Sequence, residues 1–214
     1  INAFAQDWFR ECLTDPDGGA AARTYIEGRG ISPEVAGRFG VGYAPDDWEA
    51  LRSAAGKHGL EDDLMLEAGL LNTSDRKKDP YDRFRGRIMF PIESVSGRVI
   101  AFGGRDFESD QAGAPKYLNS PETRIYRKGE NLYGLSWARH AVRREECALL
   151  VEGYMDVVSL AAHGFNHTVA SLGTALTPEQ ARLLARYTKR ALILFDSDAA
   201  GLRATFKAGD TLLE

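Results

Sequence analysis

Apolar positions follow a helical rhythm over the first third of the chain, strand-like stretches after Tyr81, and three short solid runs towards the end. Those runs are Ala148 to Val151, Thr168 to Leu172 and Ala191 to Phe195. Each is too short to cross a membrane and too uninterrupted for a half-exposed strand, so each predicts a buried parallel strand. Helical patterns fill the gaps, which gives a βαβαβα unit. Within it, Thr177-Pro178-Glu179-Gln180 forms a capping box with proline at the first helical position, and predicts a helix through Tyr187.

Upstream, residues 2–13 and 19–28 predict two helices separated by Asp15-Pro16-Asp17-Gly18-Gly19. Ser32-Pro33-Glu34 caps a short helix ending near Gly40. Further helices are expected from Asp46 or Asp47 to His58 and from Glu61 to Ala68, and Asn72 to Pro80 is expected to be a polar loop joining subdomains. Arg87 to Ile92 and Arg98 to Phe102 predict a hairpin, with Pro91 marking an edge or a bulge. If extended, Arg83, Arg85 and Arg87 share one face, either for phosphate contact or as a charged edge. Gly103-Gly104-Arg105 then offers either a close backbone approach to a ligand or an ordinary turn. The stretch from Ala114 to Thr123 has no period and predicts an ordered loop carrying Lys116, Tyr117 and Asn119. A helix from Ser136 to Glu146 precedes the βαβ unit. The expected fold class is α/β, with an N-terminal α+β subdomain over 1–128 and a Rossmann-like parallel-sheet unit over 129–214.

Composition narrows this only slightly. A length of 214 residues, 43% of them hydrophobic, supports a real core in one or two domains. No apolar run reaches transmembrane length, and the opening INAFAQDWFRECLTD is not a signal peptide. Two isolated cysteines, Cys12 and Cys147, suit a cytoplasmic protein without zinc or disulfide spacing. A formal net charge of −4 disfavours diffuse binding to nucleic acid, so any polynucleotide requires a local basic patch. The chain starts at Ile1 and stops at Glu214 inside an apparent helix, as an excised piece would.

The candidate chemistry sits at strand ends. Glu152 follows the first solid run, with Asp156 a turn later, and Asp196 and Asp198 follow the third. In an open parallel sheet, ligands bind beyond the carboxyl ends of the strands. Four acids gathered there repel one another unless a cation sits among them, and an all-oxygen set suits Mg²⁺ or Mn²⁺ rather than zinc. The alternative is that such acids are helix caps, as Asp198 before Ala199-Ala200-Gly201 suggests.

VEGYMDV, ASLGTALTPEQ and LILFDSDAAG resemble the TOPRIM domain of bacterial DnaG-type primases. The resemblance extends upstream through YIEGRGIS, FGVGYAP, YDRFRGRIMFPI, GRVIAFGGR, PKYLNSPET and KGENLYG, in the family's order. It implies metal binding by Glu152, Asp156, Asp196 and Asp198, with Glu152, Asp196 and Asp198 catalytic. It also implies phosphate or template contact by Arg29, Arg105, Lys116, Lys128 and, more weakly, Asn119. The implied activity is RNA primer synthesis on a single-stranded DNA template from ribonucleoside triphosphates, with Mg²⁺ or Mn²⁺ as cofactor and a primer–template hybrid as product. Missing against the family are the zinc-binding domain, the helicase-binding domain through which the replicative helicase docks, and a later Asp-Pro-Asp motif, so the piece is expected to hold metal loosely, with inactivity on its own as the limiting outcome. Rival readings are an Asp-nucleophile phosphohydrolase built on LILFDSDAAG, another TOPRIM enzyme, and a non-catalytic single-stranded-DNA-binding module.

Overall fold

The computed structural model describes residues 1–74, 77–107, 115–172 and 175–213, with the backbone alone at 77 and 78. Helices α1 (Asn2–Thr14), α2 (Ala20–Gly28) and α3 (Pro33–Arg38) precede strand β1 (Gly42–Ala44). Helices α4 (Ala50–Lys57) and α5 (Asp62–Glu67) lead to strands β2 (Leu71–Ser74), β3 (Lys77–Asp82), β4 (Arg87–Glu93), β5 (Val99–Asp106) and β6 (Tyr117–Asn119). A 3-10 turn, η1 (Lys128–Glu130), and α6 (Leu135–Arg144) follow. The remainder is β7 (Ala148–Val151), α7 (Tyr154–Ala162), β8 (Thr168–Ala170), α8 (Pro178–Leu184), β9 (Ala191–Ile193) and α9 (Ala199–Leu213). These elements form two compact units, Ile1–Ile92 with Arg98–Tyr126 and Glu93–Gly97 with Arg127–Glu214.

The first unit is built on a four-stranded sheet of order β1-β4-β5-β6. Ala5, Phe9 and Leu13 recur every four residues on α1 and are buried, as an amphipathic helix demands. The Phe9 ring meets Phe102 of β5 edge-on at 5.3 Å. Leu51, Met65, Leu70, Phe84 and Met89 join the same core. Ser32 caps α3 as expected, accepting from the Val35 N–H at 3.4 Å. Helix α4 is capped from afar: the Asp82 carboxylate, 2% exposed at the end of β3, accepts from Leu51 N at 2.6 Å and Arg52 N at 3.0 Å.

Several expectations for this unit are corrected. The described residues of the expected Asn72 to Pro80 loop belong to a two-stranded ribbon, because β2 pairs antiparallel with β3 from Leu71↔Asp82 to Ser74↔Lys77, while Asp75 and Arg76 lie outside the described residues. Strand β4 is interior to its sheet, but β1 pairs with it only as far as Met89, so Pro91 lies where β1 asks for no donor. The three arginines share no face, since 83–86 leaves the strand geometry. Arg83 instead donates to the Asn119 carbonyl at 2.9 and 3.2 Å, and Arg85 stacks on Trp48 at 3.8 Å. Arg87 is buried against Asp106 at 3.7 Å. Gly103 and Gly104 form no turn; both lie inside β5, where a Cβ on Gly104 would meet Arg87 Cδ at 3.0 Å and Phe84 Cδ1 at 3.1 Å. Residues 117–119 of the expected loop are a strand, β6, paired with Gly103–Arg105.

The second unit carries a parallel sheet of order β8-β7-β9. Strand β7 is buried at every position, as a central parallel strand should be. Strand β9 departs from the expectation of burial. It has one described neighbour, and Leu192 and Leu194 are 54% and 50% exposed. Leu135, Ala138 and Val142 of α6 pack with Leu150, Val169, Leu176 and Leu184. Helix α8 starts at its capping box but ends at Leu184, three residues short of Tyr187, whose N–H closes a turn onto the Leu184 carbonyl at 2.9 Å. Gly173 and Thr174 of the ASLGT stretch lie outside the described residues. Among the described residues no helix is long and apolar enough to cross a membrane.

Candidate metal and phosphate sites

Parallel pairing of β7 with β9, at Leu150↔Ile193, sends both strands out of the same edge of the sheet. Glu152 and Asp196 leave from that edge. The Asp196 N–H donates to Glu152 Oε1 at 3.1 Å. Asp198 Oδ1 accepts from Ala200 N at 2.9 Å and Gly201 N at 2.7 Å and so caps α9. Glu152, Asp196 and Asp198 together line a cleft of about 330 Å³ with Ser171, Phe195 and Gly201. Asp156 does not line it. Its Oδ2 accepts from the Gly153 N–H at 3.0 Å, which fixes the turn carrying Glu152.

Two features of this cleft carry no signal in spacing. A Cβ on Gly201 would lie 2.0 Å from the Asp196 carbonyl oxygen, so α9 meets the acidic strand tip only because that residue has no side chain. The one legible hint is a glycine in the first turn of a helix. Leu172, directly after the cleft residue Ser171, holds φ at 69°, a left-handed conformation rare for a leucine.

The donor set fits a hard divalent cation. Every candidate ligand is a carboxylate oxygen, and Glu152 and Asp198 each keep a second oxygen beyond the one bonded to backbone. Among the described residues no three His, Cys, Asp or Glu side chains already converge as closely as a metal requires.

In the first unit, Arg29 and Arg105 gather around one ring. Arg29 lies 5.1 Å and Arg105 5.5 Å from the Tyr25 centroid. Phe107 backs Tyr25 at 5.5 Å and meets Tyr43 at 6.0 Å. Arg105 is only 7% exposed; it donates to the Tyr117 hydroxyl, while its Nε has no partner among the described residues. No described carboxylate pairs with it, so a guanidinium is held nearly dry beside aromatic faces, an arrangement suited to an anion. Lys116 is exposed beside Tyr117, and Asn119 is half-buried opposite Gly103. Tyr25 belongs to this cluster, although nothing in the spacing of the helix over 19–28 marks it.

Lys128 belongs to the second unit, in η1. It is half-buried, and desolvation pushes its ammonium below the usual lysine range.

Two family models match the chain: the DNA primase catalytic core N-terminal domain over residues 8–139 and a Toprim-like model over residues 149–214. The DNA primase of Deinococcus radiodurans is 47% identical over the whole chain, which spans 36% of that protein. The solved zinc-binding and RNA polymerase domains of Aquifex aeolicus primase superpose with a TM-score of 0.89 at 42% identity, covering 99% of this chain and 51% of that one. A DnaG primase catalytic domain solved with single-stranded DNA superposes with a TM-score of 0.87 at 42% identity, covering 99% of this chain and 66% of that one. With its parallel sheet and acidic strand tips, the chain belongs to the catalytic-core family of DnaG-type bacterial DNA primases.

Proposed function

We propose that this chain carries the nucleotidyl-transfer centre of a primase, which extends RNA primers on single-stranded DNA. The observation that carries this reading is the shared cleft of Glu152, Asp196 and Asp198 at the ends of adjacent parallel strands. In the proposed reaction a 3′-hydroxyl attacks the α-phosphate of a ribonucleoside triphosphate and pyrophosphate leaves. Glu152, Asp196 and Asp198 would hold Mg²⁺ or Mn²⁺, with Asp156 bracing the Glu152 turn. When bound, such a cation lowers the pKa of the attacking hydroxyl and neutralises developing charge. Arg105 and Lys116 bind the triphosphate, and Arg29 and Lys128 contact template or nucleotide phosphates, with Asn119 in a minor role. Positioning and electrostatics then supply the rate, as in phosphoryl transfer generally. The relative solved with single-stranded DNA supports a DNA template as partner.

The test is primer synthesis on a single-stranded template with labelled ribonucleotides and Mg²⁺, using the chain and its Glu152→Gln variant. Template-dependent products lost in the variant support the reading. Phosphate release from a small ester without template, or products that persist in the variant, would overturn it.

A further inference from the structure

Gln180 is fully buried, yet its carboxamide is saturated with partners. Its Oε1 accepts from Thr177 N at 3.1 Å, the local half of the capping box. The donor end turns away from α8. Nε2 donates to the carbonyls of Asn131 at 2.7 Å, Lys128 at 3.2 Å and Ser171 at 3.3 Å. Thr177 adds a parallel bond from its hydroxyl to the Gly129 carbonyl. Three carbonyls of the Lys128–Asn131 turn, those of Lys128, Gly129 and Asn131, are thus tied to the start of α8, and the same amide holds Ser171, a wall of the acidic cleft.

A helix cap needs none of this, because Thr177 and Gln180 satisfy one another locally. A buried amide reaching carbonyls 9, 49 and 52 residues away fixes the relative placement of separate segments. The two segments it joins carry Lys128 and the Ser171 wall, and Lys128 is itself half-buried against protein.

We propose that Gln180 is a positioning residue that holds the Lys128 turn in register with the acidic cleft, so that the lysine meets a substrate phosphate in a fixed place. The inference rests on the phosphate-contact role given to Lys128 above. It assigns Gln180 no contact with substrate.

A double-mutant cycle tests it, with a single-stranded oligonucleotide as the probe and binding followed across a salt series. Gln180→Met keeps the volume and removes every hydrogen bond. In the otherwise unaltered chain it is expected to weaken binding about 5-fold and to reduce the salt slope by about one phosphate contact. In a Lys128→Ala background the same change is expected to do nothing further. Equal losses in both backgrounds, or none in the first, overturn the proposal. Should Gln180→Met fail to fold, Thr177→Val and Thr177→Ser replace it: the first is expected to weaken binding only when Lys128 is present, and the second to restore it. Unchanged binding in Lys128→Ala alone overturns both this proposal and the template-phosphate role of Lys128 on which it rests. A loss in Lys128→Ala with full binding in the Gln180 and Thr177 variants overturns the positioning role alone.

Discussion

The main-chain N–H of Asp196 donates to the Glu152 carboxylate at 3.1 Å, stitching the tip of β9 to the tip of β7 across 44 residues of sequence. The acids therefore keep near one another through a backbone hydrogen bond, which does not need the cation.

Glu152→Gln is expected to preserve that bond, since a carboxamide oxygen also accepts, while removing the charge. Stability should change by less than about 0.5 kcal/mol. Metal-dependent primer synthesis should fall at least about 100-fold, the scale of one lost electrostatic contact to a transition state. Urea unfolding and the template assay check the two halves independently.

Gly201→Ala sets two effects against each other. Alanine gains at most about 1 kcal/mol of helix propensity over glycine, and less in the first turn of α9. Its Cβ, however, would sit 2.0 Å from the Asp196 carbonyl oxygen, which is backbone and cannot swing aside. Overpacking of this kind costs about 1–3 kcal/mol, so a net loss of stability is expected. Because the displaced atom belongs to Asp196, Mn²⁺ affinity should drop as well, measured by titration.

Asp82 predicts an unusual pH response. Burial raises its pKa from 3.8 to about 6, ahead of the lowering by its bonds from Leu51 N and Arg52 N. The folded chain then binds a proton that the unfolded chain releases. The contribution is fully present below pH 3.8 and is lost as pH rises through 6. Its size is up to about 3 kcal/mol from the pKa difference. Asp82→Asn, which keeps one of the two acceptors for α4 at some cost in stability, should flatten the stability–pH curve between those values in chemical denaturation.

Tyr25 offers a further check on the basic cluster. Tyr25→Phe retains the face on which Arg29 and Arg105 lie and should bind single-stranded DNA like the parent chain. Tyr25→Leu removes that face and should weaken binding about 5-fold, from a cation–π contribution of about 1 kcal/mol. Salt-dependent oligonucleotide binding measures both.

What the sequence reveals of this protein divides along physical lines. Ala148 to Val151 reads as a buried strand because a solid apolar run has few other uses, and Thr177 to Gln180 reads as a helix start because the cap is local. The ribbon formed by β2 and β3 escapes detection, since it rests on backbone pairing rather than on an apolar period. Arg87 misleads for the opposite reason: a charged residue is buried because Asp106 and the bare backbone of Gly104 make room for it. At the site, Glu152, Asp196 and Asp198 are visible as acids at strand ends. Gly201 and the reach of Gln180 depend on contacts between segments distant in sequence and leave no pattern along it.

Asp198 has a consequence for how occupancy of the cleft can be followed. One of its oxygens stays on the amides of Ala200 and Gly201, and the other is left for a ligand. Any ion drawing on that carboxylate must change the strength of its grip on those two amides. Their exchange with deuterated solvent should therefore shift with Mg²⁺ concentration before any nucleotide or template is present. This gives a reporter of the empty and loaded cleft at the first turn of α9.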